Sequence, residues 1–162
     1  MRDNPGGDLG VVSAIADDFL SEGVITYTED KNGKKEYIYA QSGGMDFPTA
    51  IITNGQSASA SEVLTAALHD NGKAITVGEK TFGKGILQSI YDLSQFGYKG
   101  AIKLTTGYYC PPCGENYHGV GITPEIQKQQ GEAAGGKNFY LLTEAEDDQL
   151  RAAVSAAVRN FS

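Results

Sequence analysis

A short β-type run, Thr49-Ala50-Ile51-Ile52-Thr53, ends at an Asn54-Gly55 turn signal, and a helical pattern follows within a few residues. Ala60, Val63, Leu64, Ala67 and Leu68 recur at helical spacing, which predicts a helix from near Ser59 with one apolar face. No other stretch constrains the fold as much. Strand, tight turn, serine and helix in that order put a hydroxyl at a helix N-terminus. There the unpaired N–H groups and the positive end of the helix dipole favour a developing oxyanion. The same residues have a purely structural use. Ser59-x-x-Glu62 before an apolar run is a capping box, in which both side chains satisfy orphan N–H groups. On these residues alone both uses stay open.

A second stretch is Val77-Gly78-Glu79-Lys80-Thr81-Phe82-Gly83-Lys84-Gly85-Ile86-Leu87-Gln88. With Ser57-Ala58-Ser59-Ala60-Ser61-Glu62 it resembles the carboxyl-terminal processing (tail-specific) serine peptidases. The opening Arg2-Asp3-Asn4-Pro5-Gly6-Gly7 and the later Gly119-Val120-Gly121-Ile122-Thr123-Pro124-Glu125 are similar to that family too. The four blocks keep the family's order and span about three quarters of the chain.

The resemblance implies an α/β chain with the layered ClpP/crotonase-like fold, a mixed sheet with packed helices. It implies Ser59 as nucleophile, Lys84 as general base and Gln88 as the amide supporting Lys84. The Ala60 N–H and an N–H of the Gly6-Gly7 loop would form the oxyanion hole, and the residues do not decide between the two glycines. It implies a protein or peptide substrate, no metal or organic cofactor, and an extracytoplasmic location, in the cell envelope or secreted. Residues 1–162 read as a partial protease core, since the family's upstream core strands, PDZ domain and export signal are not visible. Such a piece is expected to be weakly active or inactive, and its exposed sheet edge offers a route to a homo-oligomer.

The chemistry sets its own conditions. A free lysine, pKa near 10.4, is protonated at neutral pH and takes a proton only where desolvation favours the neutral amine. Lys84 lies among Phe82, Ile86 and Leu87, with Gly83 and Gly85 allowing close backbone approach, whereas Lys73 and Lys80 read as solvated. A Ser59–Lys84 pair should approach hydrogen-bond distance, looser in a free enzyme. Residues four apart in a strand lie about 13 Å apart. If Gln88 orients Lys84, the Phe82–Gln88 segment should therefore be helical or kinked. Ser57 and Ser61 are the fallback nucleophiles. Taken alone, Asn4-Pro5-Gly6-Gly7 is a tight turn. His69 and His118 lack an acidic neighbour at a telling spacing and read as lone surface histidines.

Two other classes compete. Gly78-x-x-x-x-Gly83-Lys84 is one residue short of a phosphate-binding P-loop, which also needs Ser or Thr next and a helix after it. Here Gly85 follows and the run alternates like a strand, which argues against an NTPase. The stronger rival is a non-catalytic ligand- or peptide-binding module, similar to the interphotoreceptor retinoid-binding proteins. Ser59, Lys84 and Gln88 together favour the enzyme. Net charge is −7, which argues against nucleic acid and anionic membrane as partners. Cys110-Pro111-Pro112-Cys113 departs from the family and reads as idle or disulfide-linked thiols, half a zinc site with His118 nearby, or a redox pair.

Elsewhere the pattern predicts a helix capped by Asp8 with Val12, Ile15, Ala16, Phe19 and Leu20 on one face. Strands follow at Val24–Thr28, Glu36–Ala40, Ala74–Val77, Ile86–Leu93 and Ala101–Tyr109, with a Gly-rich loop at 41–46 and a polar, mobile loop at 127–137. Thr143-x-x-Glu146 is a capping box expected to open a last helix striped by Leu150, Val154, Ala157, Val158 and Phe161. With 40% apolar and 20% charged residues the composition is globular.

Overall fold

Seven strands and three α-helices make a mixed α/β architecture in the computed structural model, which describes residues 1–41 and 44–160. In chain order they are α1 (Leu9–Phe19), β1 (Val24–Asp30), β2 (Lys35–Tyr39), β3 (Ala50–Thr53), α2 (Ala60–Asp70), β4 (Ile75–Gly78), β5 (Ile86–Asp92), β6 (Ala101–Cys110), β7 (Ile126–Gln127) and α3 (Asp148–Asn160). Residues 42 and 43 of the Gly-rich loop, and Phe161 of the expected stripe, lie outside the described residues.

β3, β4 and β7 form a parallel sheet in that order, and β2-β1-β6-β5 form an antiparallel one. Successive strand residues point to opposite faces, and β3 uses both. Ile51 joins α1 and α2 in a core of Val12, Ala16, Ile25, Val63, Leu64 and Leu68, while Ile52 packs with Val77, Ala153 and Ala156 under α3. The parallel sheet is thus buried between α2 and α3, as a βαβ unit requires. α2 is buried almost all round, from Ala60 to Leu68, which explains its small side chains.

α1 starts as expected: Asp8 Oδ1 accepts the Val11 N–H at 3.0 Å. Ile15, expected in the core, is exposed at the surface instead. The last helix departs further. Thr143 and Glu146 do pair, but they close a turn, and α3 begins at Asp148 with Asp147 Oδ1 accepting the Leu150 N–H at 2.9 Å. Its buried face is Ala153 and Ala156, while Val154 and Val158 are exposed. The larger side chains misled the reading because α3 lies close on the sheet, where alanine fits and valine does not. The polar loop expected at 127–137 contains the end of β7 and a single 3-10 turn, Glu132–Ala134.

Candidate active site

Ser59 is the N-cap of α2, with φ 58° and ψ −119°. Among the described residues only Asp3 and Ser59 are non-glycine residues with positive φ. Such a conformation costs on the order of 1–3 kcal/mol and persists only when its surroundings fix it. The fixing group is Glu62. Its side chain is fully buried and accepts four hydrogen bonds. Oε2 takes the N–H of Ser59 at 2.9 Å and of Lys84 at 2.7 Å; Oε1 takes the Thr81 hydroxyl at 2.6 Å and the Gly83 N–H at 2.7 Å. The expected capping box is therefore present, Glu62 taking the Ser59 N–H while the half-buried Ser59 side chain faces the Glu62 N–H.

The lysine block hangs from the same point. The Thr81 N–H donates to the Ile122 carbonyl at 3.0 Å, and its hydroxyl accepts the Ile122 N–H at 2.7 Å, so the Gly119–Glu125 block is pinned to it. Gly83 has φ +88°, and a Cβ there would lie 2.8 Å from the Gly121 nitrogen. Lys84 is half-buried in an irregular link, and β5 follows it instead of a helix, which removes the P-loop reading. Gln88 is on extended β5, half-buried, with a bulge between Leu87 and Gln88. The segment is thus kinked at Gly83 and bulged before Gln88 rather than helical. Among the described residues no hydrogen bond joins Lys84 Nζ to the Ser59 hydroxyl, nor Gln88 to Lys84. The tie between the two blocks runs through backbone N–H groups and Glu62.

The third wall is the Arg2–Gly7 turn. The Asn4 carbonyl accepts the Ala58 N–H at 3.0 Å and the Ser61 hydroxyl at 2.9 Å, and Met1 O accepts the Ser57 hydroxyl at 2.8 Å. Ser57 Oγ also accepts the Asn54 N–H at 3.0 Å. Both fallback serines are therefore buried and committed to backbone partners. Asp3 and Asn54 bond each other twice, at 3.0 and 2.7 Å. Gly6 has φ +100°, and a Cβ on it would stand 2.6 Å from Ala58 O and 2.8 Å from both the Ala60 nitrogen and Ser59 Cβ. The Gly6 N–H is taken by Asn4 Oδ1 at 2.9 Å. Among the described residues the N–H groups of Gly7 and Ala60 donate to nothing. Beside them lies an apolar pocket of about 140 Å³, lined by Gly6, Gly7, Val11, Ile15, Ala60 and Leu64.

Other candidates separate from this site. His69 is not alone: Nδ1 is 2.8 Å from Asp70 Oδ1 and Nε2 is 3.7 Å from Glu125 Oε2. It lies in the last turn of α2, ten residues from Ser59 and so about 15 Å along the axis. Lys80 is exposed, and the Lys73 ammonium bonds the Met45 carbonyl. Cys110 is a buried and Cys113 an exposed free thiol. Among the described residues no cluster of His, Cys, Asp or Glu could hold a metal, and no helix is long and apolar enough to cross a membrane. Tyr117 is buried with its hydroxyl unpaired, and burial first, then the Glu62 carboxylate, pushes its pKa up. Sequence reasoning missed the reach of Glu62, because three of its four donors come from the chain some twenty residues on. It also passed over Asn4, Asn54 and Thr81.

A family model described as peptidase family S41 matches residues 1–128. The carboxyl-terminal-processing protease of Synechocystis sp. is 37% identical over 155 residues, which is 95% of this chain and 35% of that protein. The chloroplastic carboxyl-terminal-processing peptidase 1 of Arabidopsis thaliana is 36% identical over 130 residues, 78% of this chain and 26% of that protein. Among solved structures, a photosystem II D1 C-terminal processing protease superposes with a TM-score of 0.73 at 31% identity, covering 79% of this chain and 33% of that one. The chain thus spans about a third of the length of these relatives.

Proposed function

Because the chain belongs to peptidase family S41, we propose that it carries the reacting groups of a serine endopeptidase that cleaves proteins near their C-termini. Ser59 Oγ attacks the scissile carbonyl as the Lys84 amine takes its proton, and Lys84 then returns a proton to the leaving amine. Gln88 steadies Lys84. The N–H groups of Ala60 and Gly7 hold the oxyanion, Gly6 being the close-packed residue that presents Gly7 to the site. No step calls for a metal or organic cofactor.

One observation carries this reading. Ser59 is held at a positive φ of 58° by the buried carboxylate that also fixes the Lys84 backbone. Strain at a residue held this way is the kind that clusters at active sites. The apolar pocket beside Gly7 and Ala60 suits a small apolar substrate side chain.

The matched stretch is 35% and 26% of two relatives, so residues 1–162 are taken as part of a larger core and as weakly active or inactive alone. The enzyme is assigned an extracytoplasmic location, and one relative is named as chloroplastic. The test is cleavage of an unstructured peptide by the full-length protein, read by mass spectrometry, beside Ser59→Ala and Lys84→Ala. Both variants should lose cleavage while keeping the wild-type circular dichroism. Tight peptide binding without cleavage by the wild type would instead establish the binding module.

A further inference from the structure

Arg2 begins the turn that ends in Gly6 and Gly7, and its side chain is anchored far away in sequence. Nη1 and Nη2 donate to Asp147 Oδ1 and Oδ2 at 2.9 and 2.7 Å, a two-pronged pairing, and Nη1 also reaches Gln149 Oε1 at 3.2 Å. The side chains of Arg2 and Asp147 are only 10% and 4% exposed, and the guanidinium lies 4.5 Å over the Phe139 ring. Asp147 is itself fixed. Its Oδ1 accepts from Gln130 Nε2 at 2.7 Å and from the Leu150 N–H at the start of α3. Gln149, buried, is tied in turn to the Lys128 carbonyl at 2.8 Å. Beyond Arg2 the chain has little freedom: Asp3 is held left-handed by its double bond to Asn54, and Asn4 is stitched to Ala58 and Ser61. Arg2 is thus the first of three anchors, with Asp3 and Asn4, that together place the turn carrying Gly7.

We propose that Asp147 is a positioning residue: through Arg2 it sets the Asp3–Gly7 turn, and so the Gly7 N–H, against Ser59. It lies outside the residues 1–128 that match the family model, so a segment beyond the matched core completes the oxyanion site. This rests on the peptidase reading above. Removing Asp147 leaves a buried guanidinium without its counter-charge, which must swing out or pull its neighbours with it. Either way the turn loses its first anchor while Asn4 keeps its last. Outright loss of an oxyanion donor costs about 100- to 1,000-fold in kcat, so a donor that wanders should cost less, about 10- to 100-fold.

The experiment measures kcat, KM and amide hydrogen exchange for full-length wild type, Asp147→Ala and Asp147→Asn. Asp147→Ala should exchange faster at the bonded amides of Asp3, Asn4 and Gly6 than wild type while the α2 amides stay protected. Its kcat should fall about 10- to 100-fold with KM within about threefold. Asp147→Asn keeps the Leu150 cap and one bond to Arg2 and should fall between, and it serves if the alanine variant does not fold. Unchanged exchange at Asp3, Asn4 and Gly6, or an unchanged kcat with a loosened turn, would overturn the proposal alone. Wild-type turnover no greater than that of Ser59→Ala would overturn the peptidase reading, and this inference with it.

Discussion

The backbone N–H of Ser59 and the backbone N–H of Lys84 converge on one oxygen, Glu62 Oε2, at 2.9 and 2.7 Å. Two segments twenty-five residues apart are thereby registered to within hydrogen-bond tolerance before any side chain reacts. With two donors on each oxygen, Glu62 serves as an acceptor only. Glu62→Gln tests this, because an amide keeps the shape but offers a donor on one side. Thr81 can rotate its hydroxyl to accept; the N–H groups of Ser59, Gly83 and Lys84 cannot. At least one buried N–H then faces another, at a cost of about 1–3 kcal/mol. The variant should show a lowered Tm and cleavage reduced by at least about 100-fold. Wild-type turnover in that variant would show that the shared carboxylate does not set the site.

The two glycines of the turn should part company under substitution. Gly6→Ala puts a methyl group 2.6–2.8 Å from Ala58 O, the Ala60 nitrogen and Ser59 Cβ, in a conformation with φ +100° that alanine resists. Cleavage should fall to the Ser59→Ala background. At Gly7 a Cβ meets nothing within 4 Å and φ is not positive, so Gly7→Ala should keep its unfolding free energy within about 1 kcal/mol of wild type. Equal damage from the two substitutions would contradict the packing described.

Ser57→Ala should separate stability from activity. Its hydroxyl donates to Met1 O and accepts the Asn54 N–H, and both groups lose their partner in the variant. Denaturant unfolding should show a loss of about 1–3 kcal/mol, with kcat retained within a few-fold at temperatures where the protein stays folded. A complete loss of cleavage in a folded Ser57→Ala protein would move the nucleophile from Ser59 to Ser57.

What the sequence revealed and what it hid divide along one physical line. Periodicities and caps are local, so α1 from Asp8, the Ser59 helix and the extended runs of β5 and β6 were readable from neighbours in the chain. The Ser59-x-x-Glu62 spacing likewise disclosed one of the four bonds to Glu62. The other three come from Thr81, Gly83 and Lys84, and only the approach of the two blocks in space creates them. The same holds for Arg2 and Asp147, 145 residues apart. His69 looked isolated although Asp70 follows it directly, and Glu125 reaches it from the bend before β7; the α3 stripe misled because burial followed closeness to the sheet, not side-chain size. The choice between Gly6 and Gly7 needed the one bond from the Gly6 N–H to Asn4.

Tyr117 offers a substitution expected to help. Its hydroxyl is buried with no hydrogen-bond partner among the described residues, and an unmet polar group of this kind costs about 1–3 kcal/mol. Tyr117→Phe keeps the ring and removes the cost. Thermal unfolding should show a Tm equal to or above that of wild type, with kcat unchanged. A Tm several degrees lower would mean that the hydroxyl has a partner in solution.

Acid should expose the Arg2–Asp147 tie through its titration. Burial pushes the Asp147 carboxyl up, but hydrogen bonds from Arg2 and Gln130 and the Arg2 charge outweigh it and hold the group at about 2. An unfolded aspartate titrates near 3.9, so the folded pKa is the lower one. The carboxylate therefore adds stability that is present above about pH 4 and lost as pH falls through about 2. Glu146 is a built-in comparison. Lys137 first, then Thr143, hold it at about 2 as well, but this pair is solvent-exposed, so salt should screen it while leaving the buried pair largely intact. Urea unfolding at pH 6, 4, 3 and 2 in high salt should thus show a stability deficit in Asp147→Asn that is greatest at pH 6 and shrinks toward pH 2. Glu146→Gln should differ little from wild type throughout. A deficit in Asp147→Asn that stays constant from pH 6 to pH 2 would show that its charge contributes nothing to the tie, leaving shape and hydrogen bonding alone to hold Arg2.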